Sequence, residues 1–163
     1  LMGRSYSTAD YAKLIKDLSN RVPGIMLGSD IIVGFPGEKE NDFQITVSFL
    51  EETALNYLHI FPYSDRFKAR SRNFKDKVPV SEIRRRSTIL HHLSLKKCRD
   101  FLSQHIGTVG KVLFEQKKDN YWIGHTDNYV KIKVNSEENL RNQIIDVKMR
   151  TLEGQMIIGS LDQ

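Results

Sequence analysis

Apolar positions in the first part of the chain fall alternately at helical spacing and in unbroken runs. Tyr11, Leu14, Ile15 and Leu18 share one helical face behind Ser7-Thr8-Ala9-Asp10, whose hydroxyl and carboxylate have capping-box spacing. Val22-Pro23-Gly24 stops that helix. Ile25 to Val33 reads as a strand, and Glu38 to about Ala54 as a second helix with Phe43, Val47 and Leu50 on one face. Leu55 to Tyr63 reads as a second strand, with Pro62 marking the end of its sheet contacts. Helix, strand, helix, strand with short connections implies parallel strands and an α/β fold. Two strands do not make a stable α/β domain, so the rest of the sheet is expected from a longer parent chain.

Residues 66–80 lack periodicity and read as an irregular crossing. A long helix follows from Val80 to about His105, with Ile83, Leu90, Leu93 and Phe101 in phase. After Gly107 the texture becomes β-rich. Val112–Phe114, Tyr121–Ile123, Tyr129–Val134, Ile144–Met149 and Met156–Ile158 are short runs separated by turn residues. Five short antiparallel strands describe a small barrel of a kind often used to bind RNA. The expected domains are residues 1–103, an α/β part with its connecting helix, and residues 104–163, the barrel.

Charge sharpens this division. Residues 1–64 carry five Lys/Arg and eight Asp/Glu, residues 65–103 twelve and four, and residues 104–163 eight and eight. The excess of positive charge in the middle segment suits a polyanion, although a solvated linker helix carries the same signature. Arg84, Arg85 and Arg86 are its densest cluster. In the barrel, Lys111, Lys131, Lys133 and Arg150 are placed to meet phosphates, and Tyr121, Trp122 and Tyr129 to stack on bases. Trp122 serves equally well as core. Alternation puts Lys131 and Lys133 on one exposed face. The lone Cys98 excludes an internal disulfide and any cysteine-only metal site built from this chain; it reads as a half-buried thiol. With no secretory or membrane-spanning run, a soluble cytoplasmic protein is expected.

The candidate chemistry lies at the carboxyl edge of the strands. Ile31-Ile32-Val33 ends in Gly34-Phe35-Pro36-Gly37, and glycines there allow backbone to approach a ligand. The second strand brings His59-Ile60-Phe61-Pro62-Tyr63-Ser64 to the same edge, where an aromatic and a proline make a slot for a flat group such as adenine. Asp30 precedes the apolar run, and Glu38 is either a first-turn residue or a ligand contact. No phosphate-loop sequence occurs, and the adjacent His91 and His92 point to different sides of one helix.

Four separated stretches, Leu1 to Tyr6 (LMGRSY), Ser29 to Glu38 (SDIIVGFPGE), His59 to Arg66 (HIFPYSDR) and Gly124 to Val134 (GHTDNYVKIKV), resemble the radical-SAM methylthiotransferases in order and spacing. The barrel resembles their TRAM domain. The His-x-Phe-Pro-Tyr-Ser form at His59 to Ser64 resembles the MtaB branch, which methylthiolates N6-threonylcarbamoyladenosine at position 37 of tRNA. The implied fold is α/β followed by all-β: the C-terminal part of a partial (β/α) radical-SAM barrel plus a small antiparallel TRAM-like β-barrel. The resemblance implies S-adenosylmethionine and [4Fe-4S] clusters as cofactors of the longer parent, with the cluster ligands outside this chain, and tRNA as partner. It implies that Asp30, Gly34, Phe35, Pro36, Gly37 and Glu38 line the S-adenosylmethionine site together with Phe61, Pro62, Tyr63 and Ser64. It gives Arg4 and Tyr6 a place after the preceding strand, and it assigns no catalytic residue. On this view Arg84, Arg85, Arg86, Lys111, Tyr129, Lys131 and Lys133 hold tRNA. The chain departs from the family at Gly3 and at Phe67-Lys68, where a Gly-Thr pair is usual. The rival readings are a stand-alone RNA-binding module and an enzyme of the same scaffold acting on another tRNA adenosine or on a ribosomal protein. With one thiol, the isolated chain is expected to hold no cluster and to be inactive.

Overall fold

The computed structural model describes residues 5–161, so Arg4 lies outside the described residues. The chain forms two compact units, residues 1–97 and 98–163. The first contains α1 (Thr8–Arg21), β1 (Gly28–Val33), α2 (Glu40–Glu52), β2 (Tyr57–Pro62), a short 3-10 turn at Arg70–Asn73, and most of α3 (Val80–Ser103). The capping box at Ser7 is formed: its Oγ accepts from the Asp10 N–H at 3.1 Å, and the Asp10 carboxylate accepts from the Ser7 N–H at 3.0 Å.

β1 and β2 pair in parallel, with Gly28 opposite Tyr57 and Val33 opposite Pro62. β1 starts three residues later than Ile25. Ahead of it, the Leu27 carbonyl accepts from the N–H groups of Asn56 and Tyr57 at 2.7 and 3.2 Å. One sheet face, with Ile31, Val33, Leu58 and Ile60, packs into a core that includes Ile15, Phe43, Leu50, Leu55 and Leu90. The other face leaves Ile32 and Phe61 about half exposed, with Asp30 and His59 also in solvent. The outer edge of β2 is closed by α3, because the Ser94 hydroxyl accepts from the Leu58 N–H at 3.0 Å and donates to the Leu58 carbonyl at 3.1 Å.

The second unit is a closed five-stranded barrel of β3 (Val109–Lys118), β4 (Tyr121–His125), β5 (Lys131–Asn135), β6 (Ile144–Glu153) and β7 (Met156–Ser160), in the order β3-β4-β5-β7-β6. Each of the five expected runs holds a strand, with Tyr129 and Val130 ahead of β5, but the barrel is not wholly antiparallel. β5 and β7 run parallel, pairing Ile132 with Ile157 and Val134 with Gly159. The reason is parity: an odd ring of strands cannot alternate direction all the way round, so one neighbouring pair must be parallel. Val112, Phe114, Ile132, Val147 and Ile157 are fully buried inside. Two interior glycines let the small ring close. A Cβ on Gly124 would sit 2.3 Å from the Leu113 carbonyl oxygen, and one on Gly159 would sit 2.2 Å from Val147 Cγ1. Among the described residues no helix is long and apolar enough to cross a membrane.

Gly124→Ala is therefore expected to destabilise the barrel by about 1–3 kcal/mol, since the clash is with backbone that cannot swing away. Gly154→Asn, at a left-handed turn position with open space, should leave stability nearly unchanged. Urea melts followed by fluorescence of the single, buried Trp122 compare the two.

Candidate functional site

The register of β1 against β2 brings the two motif stretches together. Tyr63 extends the pairing by donating its N–H to the Val33 carbonyl at 2.8 Å. Phe35 and Tyr63 then meet edge to face at 5.4 Å, and Phe74 from the crossing segment meets Phe35 at 6.0 Å. Tyr63 donates its hydroxyl proton to Asp65 at 2.8 Å, and Lys77 ion-pairs with the same carboxylate and lies over the Tyr63 ring. The bond from Lys77 first, then that from Tyr63, holds the Asp65 carboxyl below its ordinary pKa.

Gly34 has positive φ, 78°, which turns the chain out of the strand. Its glycine identity is explained by packing: a Cβ there would lie 2.4 Å from Ile83 Cγ1 on α3. Packing against Ile83 thus accounts for a glycine at this position whether or not a ligand approaches it. Gly37 is different. It also has positive φ, but the space a Cβ would fill is open, and its N–H is donated to the Asp76 carbonyl at 2.9 Å.

Glu38 precedes α2, which begins at Glu40, so it is not a first-turn residue. One carboxylate oxygen accepts from the Gly34 N–H at 3.1 Å, and the other meets Arg86 Nη1 at 2.6 Å. Arg86 also reaches the Glu40 carboxylate at 3.2 Å and lies over the Phe43 ring at 5.3 Å. The Arg86 side chain is only 5% exposed. Arg86, grouped by the sequence with Arg84 and Arg85 as residues that hold tRNA, is set apart from them by its burial: the three separate by helical phase. Arg84 is exposed, Arg85 bridges Glu40 and Glu82, and Arg86 is structural. The sequence holds a signal for this, since Arg86 lies three residues after Ile83 and four before Leu90, inside the apolar stripe of α3. A pocket of about 280 Å³ opens beside the turn, lined by Gly37, Lys39, Lys77, Glu82 and Arg86 among others. None of residues 61–64 lines it, so it is separate from the aromatic edge.

The cofactor implied by the resemblance can be weighed against these residues. The half-exposed apolar pair Ile32 and Phe61, in register at the strand ends, offers a flat apolar surface of the sort an adenine uses. An iron–sulfur cluster does not fit this chain, whose one thiol, Cys98, is buried on α3 and pushed up in pKa by desolvation. Cys98 is fully rather than half buried.

On the barrel, Lys111 is exposed and sits 3.4 Å from Asp146. Lys131 is partly exposed on the outer face, in a row with His125 and Leu113. Lys133 faces outward as alternation requires, yet its side chain is only 12% exposed, because it lies over the Tyr121 ring and pairs with Glu153. This corrects its placement as an exposed cation. Arg150 bonds the Ser160 hydroxyl at 2.8 Å. Trp122 points inside, and Tyr129 lies in the turn before β5 rather than in the strand.

No family model matches the chain. It is 32% identical over 153 residues to the threonylcarbamoyladenosine tRNA methylthiotransferase MtaB of Bacillus subtilis, covering 91% of the chain and 34% of that protein. It is 31% identical over 169 residues to the ribosomal protein uS12 methylthiotransferase RimO of Alkaliphilus oremlandii, covering 98% and 39%. It is 30% identical over 160 residues to the tRNA-2-methylthio-N(6)-dimethylallyladenosine synthase of Endomicrobium trichonymphae, covering 98% and 38%. The chain thus spans little more than a third of the length of these curated relatives.

Replacing Arg86 by Ala strands the Glu38 carboxylate, which is 17% exposed, and should cost about 3 kcal/mol or more. Arg84→Ala should fall within about 0.5 kcal/mol of the unaltered protein. Equilibrium denaturation of the two variants separates the buried guanidinium from the surface one.

Proposed function

We propose that this chain, a member of the methylthiotransferase family, forms part of a radical S-adenosylmethionine enzyme that adds a methylthio group to carbon 2 of N6-threonylcarbamoyladenosine at tRNA position 37. The observation that carries the reading is identity along nearly the whole chain to enzymes that share this transfer while differing in what they modify. Two relatives named for threonylcarbamoyladenosine tRNA, at 32% and 36% identity, favour that nucleoside. S-adenosylmethionine and iron–sulfur clusters, the clusters held by residues outside this chain, supply the radical chemistry and the sulfur transfer. The part of this chain is to bind and orient. Ile32 and Phe61 give the adenine of the cofactor an apolar face, while Gly34 to Glu38, braced by Arg86, fix the shape of the edge beside it. Asp30, Pro36, Pro62, Tyr63 and Ser64 complete the surroundings of that edge.

The basic residues assigned to tRNA shift with the structure. Arg85, Arg86 and Lys77 are already engaged with carboxylates. Arg66, Lys68, Arg70 and Lys75 are exposed in the segment that follows β2, which also holds Phe67, 84% exposed under the Arg72 guanidinium. That segment and Arg84 in the first unit, and Lys111 in the second, whose pair with Asp146 is long and largely in solvent, are the better candidates for meeting phosphates. The alternative substrate, a ribosomal protein, is favoured by the alignment with the uS12 enzyme.

Mass spectrometry of tRNA nucleosides from cells with and without the intact protein tests the main reading. Loss of the 2-methylthio derivative of N6-threonylcarbamoyladenosine is expected on deletion. Unchanged tRNA accompanied by loss of a methylthio group from a ribosomal protein would transfer the assignment to the alternative. For RNA binding, changing Arg66, Lys68 and Arg70 together to Ala in the intact protein should weaken affinity for tRNA. It should also flatten the salt dependence of log affinity by roughly 0.7–0.9 for each phosphate no longer neutralised. Fluorescence anisotropy across a salt series gives both quantities.

A further inference from the structure

The turn joining β4 to β5 holds Tyr129 in a backbone conformation that tyrosine disfavours. Among the described residues, the non-glycine positions with positive φ are Asp76, Asp119, Asn142 and Tyr129. Asp and Asn tolerate the left-handed region because their short polar side chains bond locally, and tyrosine has no such compensation. Tyr129 nonetheless has φ of 63° and is 78% exposed.

The turn does not need the ring to hold its shape. The Thr126 N–H donates to the Val130 carbonyl at 3.0 Å, and the Val130 N–H donates back to Thr126 Oγ1 at 3.0 Å. The Tyr129 N–H donates to the Thr126 carbonyl at 3.1 Å. Thr126 itself is buried. Asn128 Nδ2 meets His105 Nε2 at 3.0 Å, and His105 Nδ1 meets the Phe101 carbonyl at 2.9 Å. A neutral imidazole with its proton on Nδ1 satisfies both. The backbone is thus fixed from several sides while the aromatic ring faces solvent. Strain that the surroundings enforce, at a ring left in solvent, is a mark of display.

The other aromatics of the barrel do not offer this. Trp122 is inside, and Tyr121 is covered by Lys133. We propose that Tyr129 is a fixed stacking platform for an unpaired RNA base, held clear of the barrel by the Thr126–Val130 turn. The proposal rests on RNA being the substrate. A rigid ring on a rigid turn loses little freedom when a base stacks on it, and every base offers a π face. Lys131, two residues on and partly exposed at the start of β5, is placed to meet the adjoining phosphate.

The experiment uses the intact protein, with two RNA probes: a hairpin with an open loop, and the same stem closed as a blunt duplex. Tyr129→Gly should lower affinity for the looped hairpin by about tenfold, with the salt slope kept, because stacking releases few ions. The same variant should melt at or above the temperature of the unaltered protein, since glycine adopts this φ without steric cost. Tyr129→Phe should bind as the unaltered protein does, and the duplex should not distinguish the three. Unchanged hairpin affinity in Tyr129→Gly overturns the proposal. So does a lowered melting temperature in that variant, which would make the ring structural, or an equal loss of affinity in Tyr129→Phe and Tyr129→Gly, which would put the effect in the hydroxyl. If the unaltered protein binds neither RNA, the RNA reading itself fails, and this proposal with it.

Discussion

The ion pair between Arg86 and Glu38 sets the geometry on which the first unit depends. Glu38 divides its carboxylate between two duties, one oxygen taking the Gly34 N–H and the other the Arg86 guanidinium. Because Arg86 belongs to α3, the turn after β1 is tied to a helix that begins more than forty residues later. Breaking one member leaves the other charged in a poorly solvated place, which is why such pairs resist loss even where their net contribution to stability is small. Ile83 packs where a Cβ on Gly34 would stand, so the same helix fixes the turn by shape as well as by charge. α3 is therefore part of the site's scaffold and not merely a linker.

That helix also covers part of the sheet's outer edge: Ser94 satisfies both backbone groups of Leu58, so at that position β2 offers nothing to a further strand. The sheet face away from the helices leaves Ile32 and Phe61 about half exposed. α1, α2 and α3 cover one face of the two-stranded parallel sheet, burying Val33, Phe43, Leu50 and Leu58.

The elements legible in the sequence are those whose signal is local. The Ser7–Asp10 cap, the apolar face of α2 and the five barrel strands follow from spacing and turn residues a few positions apart. Strand partners are harder. The parallel β5–β7 pair joins residues some 25 positions apart, and only the closure of the ring demands it. The charged residues are least legible, because a cation on a helix looks the same in composition whether it is solvated or buried. Arg86 and Lys133 both read as exposed, and each is covered through a partner remote in sequence: Glu38 for one, Glu153 for the other. For Arg86 the helical phase carries the signal; for Lys133 alternation gives the right face, and only the neighbouring Tyr121 and Glu153 determine its burial.

These pairings change what the positive charge of the middle segment means. A formal excess counts each cation equally, but a guanidinium already shared between two carboxylates has little to offer a phosphate. Arg85 and Arg86 draw on Glu38, Glu40 and Glu82 and organise the α2–α3 junction, and Lys77 draws on Asp65 and covers Tyr63. The field that reaches solvent comes instead from side chains such as Arg66, Lys68 and Arg70, which follow directly on the β2 edge. Charge that looks uniform along residues 65–103 is thus divided by the fold: Arg85, Arg86 and Lys77 are taken up by carboxylates, while Arg66, Lys68, Arg70 and Arg84 stay open to a polyanion. Position relative to carboxylates, more than the count of lysines and arginines, separates these two uses.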